Sequence, residues 1–263
     1  MKISLVIPAY NEASGVEDTR QKLERVLKRL RQRYEIEVVF VNDGSRDDTA
    51  KLLEAAFADD ENVRVVSHEV NRGLGAAVRT GFAHTTGDVI ITTDFDGTYH
   101  FNTIPEILSL LLVYEADIVT ASPYHPRGHV DGVPGYRLLF SYGASLLYRL
   151  LVRWDVHTWT ALFRAYRREV IESVEFENDG FLAGTELLIK AIQQGYVVSE
   201  YPTTLHVRTF GQSSIKIFRV TRAHMKYQMK LIISSVLNGS LFLRLLPGAQ
   251  PAQRRISPQN PSS

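Results

Sequence analysis

Short β-branched runs alternate with amphipathic helical segments through residues 1–121, and this alternation restricts the possible folds more than any other feature of the chain. Predicted strands lie at 3–7, 37–41, 63–66, 89–93 and 118–120, with predicted helices around 23–30, at 45–56, from 74 onward and at 104–114. Ser45 is the predicted N-cap of the second helix. Strands separated by helices in this way form an α/β fold, a mostly parallel sheet covered by helices.

Composition excludes several classes of protein. Hydrophobic residues make up 44% and charged residues 22% of the 263-residue chain, which is the composition of a globular protein. Thirty Lys and Arg against 29 Asp and Glu give a net charge of +1, so we predict no nucleic-acid partner. The absence of cysteine excludes disulfides, cysteine-ligated zinc and thiol nucleophiles.

The regular alternation breaks after the predicted fifth strand. Residues 122–136 are rich in Gly and Pro and are typical of a long functional loop, and an apolar helix is predicted at 138–152. A second α/β section at 160–207, a Gly-Ser turn and a final helix follow. We predict one domain over 1–246, composed of a nucleotide-sugar half (1–121), an acceptor half (122–230) and a C-terminal helix (231–246), with a disordered tail at 247–263.

No segment is predicted to cross a membrane. The N-terminal apolar stretch is too short for a signal peptide, and no apolar run reaches the ~18 residues that a span requires. The helices at 138–152 and 231–246 are instead predicted to be amphipathic and to lie at a membrane interface. Burial in the core or in an oligomer interface is the alternative. The expected location is cytoplasmic, peripheral at the cytoplasmic face of a membrane.

Acidic residues follow three of the predicted strands. Glu12 comes after the first strand, together with Tyr10, whose ring could stack on a base; Asp43 follows the second strand, and Asp94 and Asp96 follow the fourth. Carboxyl ends of parallel strands meet at one edge of a sheet, where ligands bind. Two carboxylates so close repel unless a cation lies between them, and Mg²⁺ or Mn²⁺ prefers carboxylates with phosphate oxygens. The pattern predicts a metal site for a diphosphate, against the simpler alternative of an acidic turn.

The segment from Asn71 to Arg79 resembles a dinucleotide-binding loop, but it follows the third strand and has Val78 at the third glycine position. Its glycines are predicted to allow a tight turn and close packing instead. Four histidines lack metal-ligand spacing and are predicted to lie at the surface or in loops: His68, His84, His125 and His129.

The ordered motifs resemble those of inverting GT-A glycosyltransferases, specifically the dolichyl-phosphate mannose synthase branch, over about residues 3–230. The donor half carries VIPAYNE, VNDGSRDDT, NRGLGAAVRTG and the D-x-D pair. The acceptor half carries VDGVP at 130–134 with Arg137 and Ser141, then TALFRAYRR at 160–168 and RTFGQS at 208–213. The resemblance implies a GT-A fold and transfer of a sugar to a polyprenyl phosphate.

The resemblance also implies a role for each matching residue. Donor base and ribose contacts are implied for Pro8, Ala9, Tyr10, Glu12, Val41 and Asp43. Diphosphate contacts are implied for Asp94, Phe95, Asp96 and Arg208, with Mg²⁺ or Mn²⁺ held by Asp94 and Asp96. Acceptor phosphate contacts are implied for Arg137 and Ser141, and Lys216 stands near the position of a further substrate-binding lysine. We expect Asp96 and Arg137 to be catalytic.

Five positions depart from the family pattern, and one of them is Ser214, which stands where the family has a lysine after G-x-S. Phe95 replaces Ala and Thr98 stands where the family has Gln; Pro123 stands where a phosphate-binding Arg is expected, for which Arg127 could substitute; Leu162 replaces Gly. These departures bear on the mannose donor and the dolichol acceptor more than on glycosyl transfer itself.

The expected reaction is the transfer of a mannose- or glucose-type sugar from a GDP- or UDP-linked donor, with inversion, by direct attack of a lipid phosphate that needs no general base. One alternative is a hydroxyl acceptor on a glycan, with Asp131 as the base. A sugar nucleotidyltransferase is disfavoured because its Gly-rich loop is absent after the first strand. A catalytically silent nucleotide-binding scaffold is the remaining alternative.

Overall fold

The structure is a computed structural model that describes residues 1–208 and 217–237. Within these ranges the side chains at positions 136, 137, 217, 235 and 237 are not described. The predictions for Lys216, for the turn at 209–216 and for the tail at 247–263 therefore lie outside the described residues, as does the predicted role of the Arg137 side chain.

A seven-stranded sheet forms the centre of the fold, in the order β3-β2-β1-β4-β7-β5-β8. Its strands are β1 (Lys2–Ala9), β2 (Glu35–Asn42), β3 (Val63–Ser67), β4 (Val89–Thr92), β5 (Ile118–Ser122), β7 (Arg164–Arg167) and β8 (Val198–Pro202). Two further strands, β6 (His129–Asp131) and β9 (Thr204–His206), pair with each other in a parallel ribbon. The sheet is parallel except for β7, which runs antiparallel to both of its neighbours.

Helices cover both faces of the sheet. They are α1 (Val16–Leu30), α2 (Thr49–Ala56), α3 (Leu74–Ala83), α4 (Ile104–Val113), α5 (Gly135–Leu151), α6 (Arg168–Ser173), α7 (Ala183–Gln193) and α8 (Ile217–Leu237). Alternate residues of β1 face opposite sides, as a strand requires: Leu5 joins the core under α1 and α4, and Val6 joins the core under α3 and α7. The predicted α/β architecture is confirmed.

Strand β7 is one of the strands that sequence periodicity did not identify. It lies between β4 and β5 and is the link that joins β5 and β8 to the rest of the sheet. The predicted nucleotide-sugar half and acceptor half therefore share one sheet, because β5 belongs to the first half of the chain and β7 to the second.

Three predicted boundaries were wrong. Helix α2 begins at Thr49, because the Ser45 hydroxyl accepts a hydrogen bond from the Asn11 backbone N–H (2.9 Å) and does not cap the helix. The predicted loop at 122–136 contains strand β6. The last helix begins at Ile217, well before Leu231, and α8 packs against α5.

Two glycines at the start of α3 fulfil the predicted packing role. Gly73 has a positive φ of 102°, and a Cβ on Gly75 would collide with the Asn178 carbonyl oxygen. The Gly75 N–H donates to the Asp179 carbonyl (2.7 Å), so α3 is fastened to the segment before α7. Among the described residues, no helix combines the length and the apolar character that crossing a bilayer requires.

Candidate active site

The carboxyl ends of three adjacent strands bring the predicted donor-site acids together. Strands β2, β1 and β4 are parallel neighbours, with Glu12 just after β1, Asp43 just after β2, and Asp94 and Asp96 just after β4. The loop after β1 is tied to the loop after β2, because the Glu12 N–H donates to the Thr49 hydroxyl (2.8 Å). The predicted convergence is therefore a property of the sheet order.

Arg208 bridges two of these acids from the distant end of the chain. Its Nε lies 3.1 Å from Asp96 Oδ2, and its Nη2 pairs with Glu12 Oε1. The side chains of Arg208 and Asp96 are each 18% exposed, so the ion pairs are largely shielded from water. The structure thus places a guanidinium, predicted to close over the pyrophosphate, directly beside the D-x-D pair.

Burial makes negative charge costly at this edge. Burial raises the pKa of Glu12 to about 7, although the Arg208 guanidinium opposes the shift. Burial and the neighbouring Asp96 carboxylate raise the pKa of Asp94. Acids with raised pKa values favour a proton or a cation between them, so this cluster is electrostatically prepared for a positively charged ligand.

Thr98 fixes the orientation of Asp96. Both the backbone N–H (3.1 Å) and the hydroxyl (2.6 Å) of Thr98 donate to Asp96 Oδ1. Oδ2 is the oxygen that faces Arg208. The Thr that replaces the expected Gln therefore acts on the carboxylate and leaves its other oxygen directed into the site.

The donor set suits a divalent metal that is shared with a diphosphate. The described residues contain no group of three or more His, Cys, Asp or Glu that could enclose a metal. Mg²⁺ and Mn²⁺ sites for nucleotides typically use one or two carboxylates and take the other ligands from phosphates and water. Two buried atoms nearby, Glu12 Oε2 and Thr93 Oγ1, have no hydrogen-bond partner among the described residues, as expected where a ligand completes the site.

The Asp43 carboxylate accepts hydrogen bonds from other residues of the protein. Its Oδ1 accepts from His68 Nδ1 (2.7 Å) and the Arg72 N–H (2.9 Å), while Oδ2 accepts from Asn71 Nδ2 (2.9 Å) and the Gly73 N–H (2.8 Å). The Asp43 side chain is 5% exposed. Asp43 thus shapes the loop before α3, and its implied contact with the base stays a prediction.

His68 lies in the loop after β3, which agrees with the prediction of a surface or loop position, but its side chain is buried. Its ring is 6% exposed and spans from Asp43 to the Thr80 hydroxyl, 2.8 Å from Nε2. Because a carboxylate only accepts, Nδ1 carries the hydrogen and Nε2 accepts from Thr80. Its position at the carboxyl end of β3 was the available signal, since that end lies at the ligand edge.

Two implied donor residues point into the core. The Val41 side chain is fully buried against Val39 and Ala77, and the Phe95 ring is 5% exposed with its edge toward Phe40. Their backbones can still face a ligand, so the implied donor contacts of Val41 and Phe95 stay predictions. Pro8, Ala9 and Tyr10 lie at the carboxyl end of β1, where Pro8 and Tyr10 are partly exposed.

The predicted acceptor side lies at the same edge, beyond β4. The Ser141 hydroxyl on α5 lies 2.7 Å from the Thr160 hydroxyl, and the rings of Tyr124 and Tyr142 meet edge to face at 5.4 Å. Arg127 is exposed. Asp131 Oδ2 lies 3.5 Å from His206 Nδ1.

A buried glutamate organises the segment that leads into β7. Glu200 Oε1 accepts from the Ser122 hydroxyl (2.7 Å) and from the N–H groups of His157 and Thr158 (both 2.9 Å). Its Oε2 lies 2.6 Å from His157 Nδ1. Sequence reasoning missed this pair because its members are 43 residues apart.

A protein-family model described as Glycosyl transferase family 2 matches residues 4–175, which is more than half of the chain. The chain belongs to this family. It is therefore a glycosyltransferase with a GT-A fold, as the motifs implied.

Two named relatives place this glycosyltransferase more closely. Dolichol-phosphate mannosyltransferase of Pyrococcus furiosus is 33% identical over 222 residues, which cover 82% of this chain but only 60% of the relative. Polyprenol monophosphomannose synthase of Mycolicibacterium smegmatis is 33% identical over 233 residues, covering 84% of each chain. Both names describe sugar transfer to a polyprenyl-type phosphate.

Solved structures share the fold. Glucosyl-3-phosphoglycerate synthase from Mycobacterium tuberculosis, in complex with Mn²⁺, UDP and phosphoglyceric acid, superposes with a TM-score of 0.64 at 23% identity, covering 89% of this chain and 78% of that one. The same protein with Mg²⁺ and UDP gives 0.63 at 23% identity, covering 86% and 79%. At this identity the likeness supports the fold alone.

One buried cation supports the segment before β7 in this glycosyltransferase. Arg164 is fully buried and donates from Nε to the Thr120 hydroxyl (3.1 Å), from Nη2 to the Trp159 carbonyl (2.7 Å) and from Nη1 to the Gly184 carbonyl. All three acceptors are neutral. The guanidinium thus fixes the backbone between the acceptor helix α5 and the D-x-D strand.

Proposed function

We propose that this glycosyltransferase moves a mannose- or glucose-type sugar from a GDP- or UDP-linked donor to a polyprenyl phosphate at a membrane surface. The reaction is metal-dependent and inverts the anomeric carbon. The observation that carries the proposal is the cluster of Asp94, Asp96, Glu12 and Arg208 at the carboxyl ends of parallel strands, in a chain related to polyprenyl-phosphate mannosyltransferases.

The donor side fits a nucleotide diphosphate. Asp94 and Asp96 would hold Mg²⁺ or Mn²⁺, which neutralises charge on the departing diphosphate when it is bound. Arg208 would then exchange a carboxylate partner for a pyrophosphate oxygen, because a guanidinium binds either anion in a forked geometry. The loop built around Asp43 would form the wall of the nucleoside pocket.

The acceptor side fits a lipid phosphate. A cavity of about 360 Å³ lies between the loop after β5 and helix α5, next to Ser141. Its lining residues are Tyr124, Val130, Gly135, Leu138, Leu139 and Tyr142. An apolar wall beside hydroxyl groups suits the first isoprene units of a chain whose phosphate is held by Ser141 and, by prediction, Arg137.

Two helices present an apolar surface with a positive charge. Exposed large apolar side chains lie on α5 and α8, including Leu139, Leu146, Leu150, Met225, Met229 and Ile233. Neither helix contains Asp or Glu, whereas α8 carries Arg219, Arg222, Lys226 and Lys230. Such a surface matches an anionic bilayer, and the proposed location is the cytoplasmic face of a membrane.

The proposed chemistry is a direct displacement. The acceptor phosphate oxygen attacks the anomeric carbon from the side opposite the diphosphate, so a single displacement inverts the configuration. The acceptor phosphate and the donor diphosphate are both anions and must approach each other. Cationic and hydroxyl groups of the site hold them in place. Arg208 serves the donor, and Ser141 with Arg137 serves the acceptor.

The first test measures sugar transfer with GDP-mannose and UDP-glucose, each with Mn²⁺ or Mg²⁺ and a short polyprenyl phosphate. We expect transfer that EDTA abolishes, and an Asp96→Ala variant that folds but loses activity at least about 100-fold. Asp59→Ala, at an exposed acid on the same sheet domain, should retain full activity.

Full activity of Asp96→Ala, or of the wild-type protein in EDTA, would contradict the metal mechanism. Transfer only to a glycan hydroxyl would contradict the proposed acceptor. Nucleotide binding with no transfer to any acceptor would favour a silent scaffold.

A further inference from the structure

We infer that His157, oriented by Glu200, accepts the last proton of the acceptor phosphate and then holds the resulting dianion. The inference rests on the proposed function and adds a residue for which the family motifs imply no role. His157 is a neutral proton acceptor built into the acceptor edge of the sheet.

The hydrogen-bond network fixes the form of the imidazole. The Glu200 side chain is 6% exposed, and three donors occupy its Oε1, so the carboxylate is immobile. A carboxylate accepts only, so the hydrogen between Glu200 Oε2 and His157 Nδ1 belongs to the histidine. The second ring nitrogen, Nε2, is then left with a lone pair, as in a general base.

His157 adjoins the predicted acceptor side through its neighbour Thr158, whose hydroxyl accepts a hydrogen bond from the N–H of Tyr124 (3.2 Å), a residue that lines the cavity. His157 begins the segment that reaches Thr160, whose hydroxyl contacts Ser141, and ends at Arg164, which pairs with Thr92 of β4. The segment thus follows the ligand edge from the ends of β5 and β8 toward Asp94. The His157 side chain is 18% exposed, so part of the ring is accessible to a ligand.

A phosphate monoester has a second pKa of about 6, so part of the acceptor carries one proton near neutral pH. The phosphate O–H transfers its proton to Nε2, and the imidazolium lies between Glu200 and the phosphate dianion. An oxygen of the dianion forms the new bond to the anomeric carbon while the bond to the nucleotide diphosphate breaks. The product phosphodiester keeps one charge, and Nε2 then releases its proton to water.

The other titratable and charged groups around His157 do not prevent it from accepting a proton from the phosphate. His125, on the loop after β5, has its ring centre 5.3 Å away, and burial lowers its pKa, which favours its neutral form. Arg127 lies on the same loop, and Asp155 interacts electrostatically with His157 but pairs with Arg153. Glu200 is the group in direct contact with Nδ1.

The test compares wild type, His157→Gln and His129→Gln, a matched change of an exposed histidine at the start of β6. The kcat at saturating acceptor is measured from pH 5 to 8.5, because kcat reports the protonation of the bound complex. Wild type remains active when one proton is shared between His157 and the acceptor phosphate. His157→Gln is active only when the phosphate has lost both of its protons. The variant should therefore retain about a tenth of its plateau at pH 5, one unit below the phosphate pKa of about 6. The wild-type acid limb should lie at lower pH than that of His157→Gln.

A second readout follows the proton itself. The ³¹P shift of farnesyl phosphate bound to wild type should report the dianion below pH 6, and this retention should be lost in His157→Gln. The donor KM and the nucleotide affinity should be unchanged in both variants. An acid limb and a ³¹P titration identical to wild type in His157→Gln would overturn the inference. If wild type transfers no sugar to polyprenyl phosphate, the proposed function fails instead.

Discussion

At the scale of single residues, four donors surround the Asp43 carboxylate, and His68 supplies the one that comes from a buried ring. His68→Leu would leave the Thr80 hydroxyl unpaired and remove one partner of Asp43. We expect it to cost about 1–3 kcal/mol of stability and to weaken nucleotide binding, because the loop at 71–73 loses an anchor. Calorimetric titration with GDP or UDP in Mn²⁺ measures the effect.

His68→Asn keeps an N–H group near the position of Nδ1 and should restore part of the affinity. His84→Leu, an exposed neighbour on the same connection, should bind like wild type. Equal affinity in His68→Leu and wild type would show that Asp43 holds its loop without help.

Residues that share a strand end could be predicted from sequence, and residues that meet across the fold could not. Asp43, Asp94 and Asp96 follow strands that the apolar pattern revealed, so their convergence required only the parallel sheet. His157 and Glu200 meet because the segment between α5 and β7 lies against β8, a contact that no local pattern specifies. The core orientation of Phe95 was missed for the same reason, since Phe40 lies on another strand.

At the scale of elements, a buried polar pair docks α8 on α5. The Tyr148 hydroxyl lies 3.0 Å from His224 Nδ1, and burial lowers the pKa of His224 to about 4. An unfolded histidine has a pKa of about 6.5, so the unfolded state binds the extra proton first as pH falls. This contribution is complete above pH 6.5 and is lost as pH falls toward 4.

Lowering the pH from 7.5 to 5 should therefore reduce the free energy of unfolding by about 2 kcal/mol through this residue. Urea unfolding at both pH values measures it. His224→Gln should remove most of that decrease, whereas His84→Gln, an exposed histidine, should keep it. The same decrease in His224→Gln as in wild type would assign the pH dependence elsewhere.

The exposed face of α8 supports a second prediction at this scale. Replacing both Met225 and Met229, which are 59% and 55% exposed, by Glu should abolish sedimentation with vesicles rich in anionic lipid. Nucleotide binding in solution should be retained. Val113→Glu, at a 69% exposed site on α4, is the matched control and should still sediment. Sedimentation of the double variant like wild type would exclude this face as the membrane contact.

Element types were largely predictable, and their boundaries less so. The strands β1 to β5 were predicted because buried parallel strands are continuous apolar runs. Helix α2 starts later than predicted because Ser45 bonds to the loop after β1, a tertiary contact that outcompetes local capping. The short strands β6 and β9 depend on each other for pairing, so neither is visible alone.

At the scale of the whole molecule, ligand binding should raise the thermal stability of the protein. Nucleotide and Mn²⁺ together should raise the melting temperature by about 5–10 °C at 100 times Kd, because binding then adds about 2.7 kcal/mol. Either ligand alone should give a smaller shift, and Asp96→Ala should lose the synergy. Additive shifts in the wild-type protein would indicate that the metal and the diphosphate do not share a site.

The position of β7 also has a consequence for how the chain folds during synthesis. Until residue 167 has emerged, β4 is an open sheet edge and β5 has no partner within the strands already made. Open edges invite pairing with other chains. The slow, non-local event in folding should therefore be the insertion of β7, and chains that stop within the first 160 or so residues should aggregate.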